Sequence, residues 1–378
     1  MPLIVLSEAL ISEAQQIMNA DEGIILCGVC KNVADTLPVI RAAFEDLVAK
    51  AGVPCWAVFY ENNSDDGTDT ELMKWSSDAP AGQVQVQCDK FTREEELSQC
   101  VARTYDNKPC RMEQIAHARN RLLDMLLGER SSPNPSLSHS NPSLPHSNPS
   151  SLSVAPSVAP LTPPSGGKSP RYVIMIDMDN PVPFPVNAIL RCIARDPDGF
   201  DALVCNSLNP FGYMYDFYAY RDAQFPFGPE IMREAFWSGH HQYYVQIAVH
   251  NKTLFHTRQM KHNPALLPYI PIASGFNGLC IFRREAIGGL RYSAVPTANM
   301  NAEYESMNCI PALAKNAKTH VDGASVGIYL FKDKGIFYFH NSGYNFPVVC
   351  EHVPFFAGMR AHNRRRIYLC TDLVWNWI

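Results

Sequence analysis

The 378-residue chain lacks any apolar run near the roughly eighteen residues that a membrane-spanning helix requires. Its N-terminus lacks a basic region followed by an apolar one, so no signal peptide is visible. We therefore expect a cytoplasmic or otherwise soluble intracellular protein with no transmembrane segment. The net charge of -5 also lacks the basic excess that is typical of nucleic-acid binding, so no nucleic-acid partner is expected.

Two common sequence signatures are missing as well. Only Gly28 follows the first apolar run, so the G-x-G-x-x-G of a dinucleotide fold is absent, which argues against a nicotinamide or flavin enzyme. Cys27 and Cys30 form the one C-x-x-C among twelve cysteines, and no second pair follows at zinc spacing. A buried structural role for these two thiols is favoured over metal or redox use.

What the chain does have is a regular alternation of apolar segments with strand and helix spacing, and 46% hydrophobic residues are ample for a sizeable core. This alternation predicts an α/β fold with a mostly parallel central sheet covered by helices. The predicted strands are 23–29, 55–60, 83–88, 172–177, 202–205, 279–282 and 367–369. The predicted helices are 7–19, 35–51, 111–127, 185–195 and a short one within 350–360.

Residues 131–170 break this pattern. Ser and Pro make up more than half of the segment, Lys168 is its one charged residue, and the heptapeptides 134–140 and 141–147 nearly repeat. Such a composition has little to bury against the entropy of ordering, so we predict a disordered surface-loop insertion. The insertion would divide a single domain into residues 1–130, a nucleotide-binding half, and residues 171–378, a half that carries the acidic strand and the acceptor site.

The acidic strand is RYVIMIDMDN, residues 171–180. An apolar run rich in Val and Ile predicts a buried strand, and Pro181 and Pro183 require it to end near Asp177. Two carboxylates, Asp177 and Asp179, then lie at the carboxyl end of a central strand, where open α/β sheets bind their ligands. Acids this close repel each other unless a cation lies between them, so the pair predicts a divalent metal site. A polar strand exit is the alternative.

Four short motifs together resemble the GT-A class of nucleotide-sugar glycosyltransferases. They are ENNSDDGT (61–68), AHARN (116–120), VIMIDMDN (173–180) and CEHVPFFAGMR (350–360). Within that class the chain is most similar to the fungal capsule-associated α-1,3-mannosyltransferases, glycosyltransferase family 69. The resemblance covers nearly the whole chain apart from 131–170, and it implies a GT-A fold.

The resemblance also implies a function and a set of site residues. It implies a metal-dependent glycosyltransferase that moves a hexose, with mannose from GDP-mannose as one candidate, from a GDP- or UDP-sugar to a carbohydrate acceptor. Mn²⁺ or Mg²⁺ would bind the D-x-D carboxylates. The implied residues are Asp177 and Asp179 for the metal; Glu61, Asn62, Asp66, Arg119, Asn120 and Asp177 for the nucleotide sugar; and Glu351 and His352 for catalysis.

Two departures from the class leave alternatives open. Asn62 replaces an Asp of the commoner loop, so the nucleobase stays open. Glu351-His352 replaces a Glu-Asp pair: in an inverting reaction one of them would be the general base, whereas the retention implied by the family would leave them to orient the acceptor. His352 could instead be a metal ligand or an ordinary core residue.

Two rival functions also stay open. A haloacid-dehalogenase-type phosphatase has a strand ending in D-x-D, although its strand normally lies near the start of the domain and here three apparent strands precede it. A catalytically silent relative that binds glycans is the other rival. The segment 207–260 is dense in aromatic residues, which suit sugar faces, but we attribute most of them to core packing.

The composition of residues 131–170 generates a prediction. Deleting them should leave the free energy of unfolding and the binding of a nucleotide-sugar donor nearly unchanged, because the segment offers almost nothing to bury. Chemical denaturation of the deletion variant beside the full chain measures the first quantity. A large loss of stability would show that the segment packs against the domain.

Overall fold

The computed structural model describes residues 23–104, 106–128, 170–228, 230, 240–263, 265–307, 329–333, 336–340, 344 and 348–378. The strands are β1 Gly23–Cys30, β2 Cys55–Asn62, β3 Val84–Asp89, β4 Pro170–Asp177, β5 Ala202–Cys205, β6 Tyr269–Pro271, β7 Leu279–Arg283, β8 Tyr329–Asp333, β9 Ile336–His340 and β10 Ile367–Cys370. The helices are α1 Leu37–Ala51, α2 Thr68–Asp78, α3 Arg93–Ser98, α4 Arg111–Leu127, α5 Val186–Arg195, α6 His240–His262, α7 Arg284–Ile287, α8 Ala298–Ser306 and α9 His352–Ala361. None of these described helices is long and apolar enough to cross a membrane.

Eight strands form one central sheet in the order β3-β2-β1-β4-β7-β5-β10-β6, and β8 pairs with β9 in a separate sheet of two strands. The pairs β3–β2, β2–β1, β1–β4 and β5–β10 are parallel, whereas β7 runs antiparallel to both of its neighbours and β6 runs antiparallel to β10. The predicted α/β fold with a mostly parallel sheet is therefore confirmed.

The register of the three central parallel strands determines where polar groups meet. Val29 of β1 is opposite Asp177 of β4, and Cys30 is opposite Glu61 of β2. Because parallel strands present their carboxyl ends at one edge, the side chains that follow β1, β2 and β4 come together there.

Helices cover both faces of the sheet, which explains why its central strands are apolar up to their polar carboxyl ends. Alternate residues such as Val173 and Met175 face one core with Leu122 and Leu126 of α4, and the residues between them face a second core packed by α1 and α5. The Cys27 and Cys30 thiols are buried and free of disulfides.

The predicted elements within the described residues are all present, with ends shifted by a few residues. The segments before and after the predicted insertion belong to one sheet, because β1 pairs with β4 along its length. Pro170, which we placed in that insertion, is the first residue of β4. The predicted helix at 7–19 and residues 131–169 lie outside the described residues.

The central position of β4 generates a stability prediction. Ile174 has no exposed surface, so Ile174→Ala should lower the free energy of unfolding by about 2–5 kcal/mol through lost burial and a residual cavity. Met73 of α2 is 54% exposed, and the control Met73→Ala should change that free energy by less than about 0.5 kcal/mol. Urea denaturation measures both, and equal effects of the two substitutions would contradict the position of β4 in the core.

Candidate active site

A cavity of about 960 Å³ lies where the carboxyl ends of β1, β2 and β4 meet the start of α4. Its lining combines charged, polar and aromatic side chains from segments distant in sequence. Among them are Lys31, Asn62, Arg111, Arg119, Asp177, Asp179, Tyr215, Asp216, Glu351 and His352.

The D-x-D pair emerges from β4 as the sequence predicts. The Asp177 amide donates to the carbonyl of Gly278 at 2.9 Å, and β4 ends at this residue. Asn180 is fully buried and accepts a hydrogen bond from the Val182 amide at 3.1 Å, so its side chain forms the turn before the prolines. Asp177 and Asp179 both line the cavity, on either side of the buried Met178.

Arg119 of α4 crosses the floor of the site. Its guanidinium is 3.2 Å from the Asp177 Oδ1 and 3.2 Å from the Glu351 Oε1, and it lies 4.5 Å above the ring of Phe276. The side chain is 5% exposed, so these carboxylates and the aromatic face replace the water it has lost. One buried cation therefore faces two carboxylates and leaves an excess of negative charge.

This excess contributes to the raised pKa values of two acids. Burial raises the pKa of Asp177 to about 8, with neighbouring carboxylates adding to the rise and Arg119 opposing it. Burial and the nearby Glu351 raise the pKa of Asp216 to about 6. Without a cation, the proton is therefore favoured on Asp177 over much of the neutral range.

His352 begins α9, directly after Glu351, and lines the same cavity. Its ring stacks on Phe276 with 4.1 Å between centroids and meets Tyr292 edge-on at 5.5 Å. Burial, followed by the proximity of Arg119, depresses the pKa of His352 well below its usual range, so the imidazole is neutral. Neither ring nitrogen has a hydrogen-bond partner in the part of the chain that the structure describes, although Nε2 is 3.4 Å from a Glu351 oxygen.

The residue types present fit a divalent cation with two protein ligands. Among the described residues, no three Asp, Glu, His or Cys side chains are grouped to hold one ion. Mg²⁺ is commonly held by one or two carboxylates together with substrate phosphates and water, and the Asp177–Asp179 pair matches that donor set. A cation there would favour the ionised form of Asp177, against the burial and the carboxylate repulsion that together raise its pKa.

Other residues named from the sequence hold the walls of the site together. Asp66 accepts hydrogen bonds from the amides of Ala34 and Thr68, at 2.9 and 3.0 Å, and joins the loops after β1 and β2. Both polar atoms of the Asn120 side chain bond to the Tyr292 backbone, at 2.7 and 2.9 Å. The structure therefore uses both side chains to connect loops, and neither lines the cavity.

The two acidic-loop residues that we assigned to the nucleoside separate in the structure. Asn62 lines the cavity, whereas Glu61 is fully buried beside it and accepts from the Ser64 amide at 2.7 Å. The second Glu61 carboxylate oxygen has no hydrogen-bond partner among the described residues.

Tyr215 and Asp216 line the cavity but are not among the site residues predicted from the sequence. Both belong to the aromatic segment that we attributed mainly to core packing. Asp216 is the one charged residue between Phe211 and Tyr220, and that isolation was the available signal. Tyr215 stacks flat on Trp377, with 3.8 Å between centroids and 4° between planes.

Neither the protein-family models nor the curated proteins compared with this chain give a match. The structure is similar to crystal structures of glucosyl-3-phosphoglycerate synthase from Mycobacterium tuberculosis. The complex with Mg²⁺ and uridine diphosphate has 12% identity and a TM-score of 0.33, over 81% of this chain and 70% of that chain. The complex with Mn²⁺, uridine diphosphate and phosphoglyceric acid has the same identity and TM-score, over 79% and 69%. Similarity at this level does not show what this chain binds or which reaction it catalyses.

The raised pKa of Asp177 predicts a pH dependence of stability. The native protein keeps the proton up to about pH 8, while the unfolded chain releases it near the ordinary value of 3.8. The unfolded state is therefore favoured progressively between these values, by up to about 1.4 kcal/mol per pH unit. With a chelator present, Asp177→Asn should gain stability relative to wild type as the pH rises from 5 to 8.

Urea denaturation at several pH values measures this difference. Met73→Ala removes no charge and should keep the wild-type slope. A constant difference between wild type and Asp177→Asn across this range would contradict the raised pKa.

Proposed function

We propose that this protein is a metal-dependent glycosyltransferase that moves a hexose from a nucleotide sugar to a hydroxyl acceptor. The observation that carries the proposal is one cavity with a cation site and an anion site side by side. The cation site is the Asp177–Asp179 pair, and the anion site is the start of α4 with Arg111.

The anion site rests on helix geometry. Arg111, Met112, Gln114 and Ile115 of the first turns of α4 all line the cavity, and the N-cap residue Cys110 gives no side-chain cap. A helix of 17 residues therefore turns its amino end, with its partial positive charge, toward the cavity. Helix amino ends bind phosphate groups readily, and the Arg111 guanidinium adds a full charge.

The cation site complements it. A divalent ion held by Asp177 and Asp179 would supply Lewis-acid neutralisation of the charge that develops on a departing diphosphate. The chain's own contribution is to hold the two carboxylates at the end of a rigid central strand. Arg119 supports them from below, because its charge is already shared between Asp177 and Glu351. Arg119 also lines the cavity, so its assignment to the nucleotide sugar stays part of the proposal.

We assign the nucleoside to the part of the cavity at the ends of β1 and β2. Lys31 and Asn32 follow β1, and Asn62 ends β2, so the three form the part of the lining nearest the β1 and β2 ends. We assign Asn62 to the ribose or base. Glu61, which does not line the cavity, would act on the nucleoside through the loop that it supports.

We assign the acceptor to the part of the lining formed by Glu351 and His352. A neutral imidazole and a carboxylate can each accept a hydrogen bond from a hydroxyl, and both are buried on the cavity lining. We assign both to orienting the acceptor hydroxyl, with proton removal by Glu351 as the additional role that an inverting reaction would require. The resemblance to the α-1,3-mannosyltransferases makes GDP-mannose the first donor to test.

The proposal predicts the effect of removing one carboxylate. A thermal-shift screen of GDP- and UDP-sugars with Mn²⁺ should find a donor that raises the Tm of the wild type, because a bound ligand stabilises the native state by mass action. Asp179→Ala should abolish this Mn²⁺-dependent shift and the transfer activity, while the ligand-free Tm stays at or above the wild-type value. Asp177→Ala should likewise abolish the donor response, but its ligand-free Tm should fall, because the substitution removes one of the two carboxylates paired with the buried Arg119.

The matched control is Asp78→Ala. Asp78 is an exposed carboxylate at the end of α2, outside the cavity lining, and its loss should leave the donor response intact. Sugar transfer by Asp179→Ala at the wild-type rate would refute the site. Phosphate release from simple phosphomonoesters without any donor response would favour the phosphatase, and no nucleotide-sugar binding at all would favour the silent relative.

A further inference from the structure

Asp216 is a charged group on the cavity for which the proposed function gives no role. It lines the cavity, and its Oδ1 accepts from the Ala219 amide at 3.2 Å. No ion pair to Asp216 is formed within the described part of the chain, because Arg119 is committed to Asp177 and Glu351. A carboxylate without a cationic partner here requires hydrogen-bond donors from elsewhere.

The segment that carries Asp216 is fixed by the protein from two directions. The Asn277 side chain accepts from the Asp216 amide at 2.9 Å and donates to the carbonyls of Cys205 and Ser207, at 2.9 and 3.1 Å. Asn277 holds a left-handed backbone, with φ 61°, and is 1% exposed. Tyr215 is held by its flat stack on Trp377. The carboxylate is therefore set in place without a ligand, as a binding group requires.

Its neighbours on this wall are also hydrogen-bond acceptors. The Glu351 carboxylate lies close enough to raise the pKa of Asp216, and the His352 ring nitrogens have no hydrogen-bond partner among the described residues, although the residue is 1% exposed. A neutral imidazole keeps one acceptor nitrogen. This wall thus offers three acceptors: Glu351 is paired with Arg119, Asp216 accepts one hydrogen bond from the Ala219 amide, and the His352 nitrogens have no partner among the described residues.

These three side chains determine which kind of ligand would suit this wall. A phosphate or carboxylate would meet like charge at Asp216 and Glu351, so an anionic group is disfavoured on this wall. A metal ion shared with the D-x-D pair would need a group of three ligands, and the described residues contain no such group. The wall therefore requires a hydrogen-bond donor, and the molecule rich in O–H donors that the proposed function brings into the cavity is a sugar.

We propose that Asp216 binds a sugar hydroxyl and is a substrate-binding residue that the motifs do not reveal. This inference rests on the proposed function, because that function brings a sugar into the cavity. The hydroxyl belongs either to the hexose of the donor or to the sugar of the acceptor, and the two sources are separable by experiment.

The test is Asp216→Asn, which keeps the size of the side chain and removes its charge. Calorimetry with Mn²⁺ compares GDP with GDP-mannose, and UDP with UDP-glucose. The variant should bind the nucleoside diphosphate within about twofold of wild type, which also shows that it is folded. The Asn amide keeps a neutral acceptor oxygen and loses the charge assistance, so binding of the cognate sugar nucleotide should weaken by roughly tenfold. Asp78→Asn is the matched control and should change neither affinity.

The second arm addresses the acceptor. If donor affinity is unchanged and the KM for methyl α-mannoside rises by roughly tenfold or more, the hydroxyl belongs to the acceptor sugar. Unchanged donor affinity together with unchanged transfer kinetics would overturn the inference while leaving the proposed function in place. A wild-type protein that binds neither GDP nor UDP with Mn²⁺ would instead overturn the proposed function, and this inference with it.

Discussion

The contact on which the site depends is the buried guanidinium of Arg119 between Asp177 and Glu351. It joins the end of the central strand β4 to the start of α9, two elements far apart in the chain. Breaking a buried ion pair by removing one partner typically costs about 3–5 kcal/mol, because the other charge is left without compensation. Because a single positive charge faces two carboxyl groups, a proton or a cation is favoured at Asp177. Affinity for a cation at the neighbouring D-x-D thus follows from how the floor of the site is built.

Local sequence rules predicted the parts of the site that depend on a single element. The position of Asp177 was predictable because an apolar strand followed by prolines must end there. The position of Arg119 within a helix was predictable because the apolar residues of α4 have helical spacing. Asp216 was not predictable in this way. Its position depends on a side chain 61 residues later and on a tryptophan near the end of the described chain, and no periodic pattern reports such contacts.

The residues whose roles differ from expectation show the same principle from the other side. Asp66 and Asn120 have the side chains expected of ligand-binding residues, but nearby backbone groups compete for them and hold them as connectors between loops. Residue type and motif spacing do not report how these hydrogen bonds are distributed.

The attachment of residues 129–169 has a consequence for how this molecule could be connected to others. The segment leaves after α4 and returns at the amino end of β4. The cavity lies at the opposite, carboxyl edge of the same strand. The guanidinium of Arg284, which directly follows β7, donates to the Leu126 carbonyl and marks the end of α4 at that distal edge. A tether, label or partner domain joined directly at Leu127 or Pro170 would therefore start from the edge of the sheet opposite the cavity.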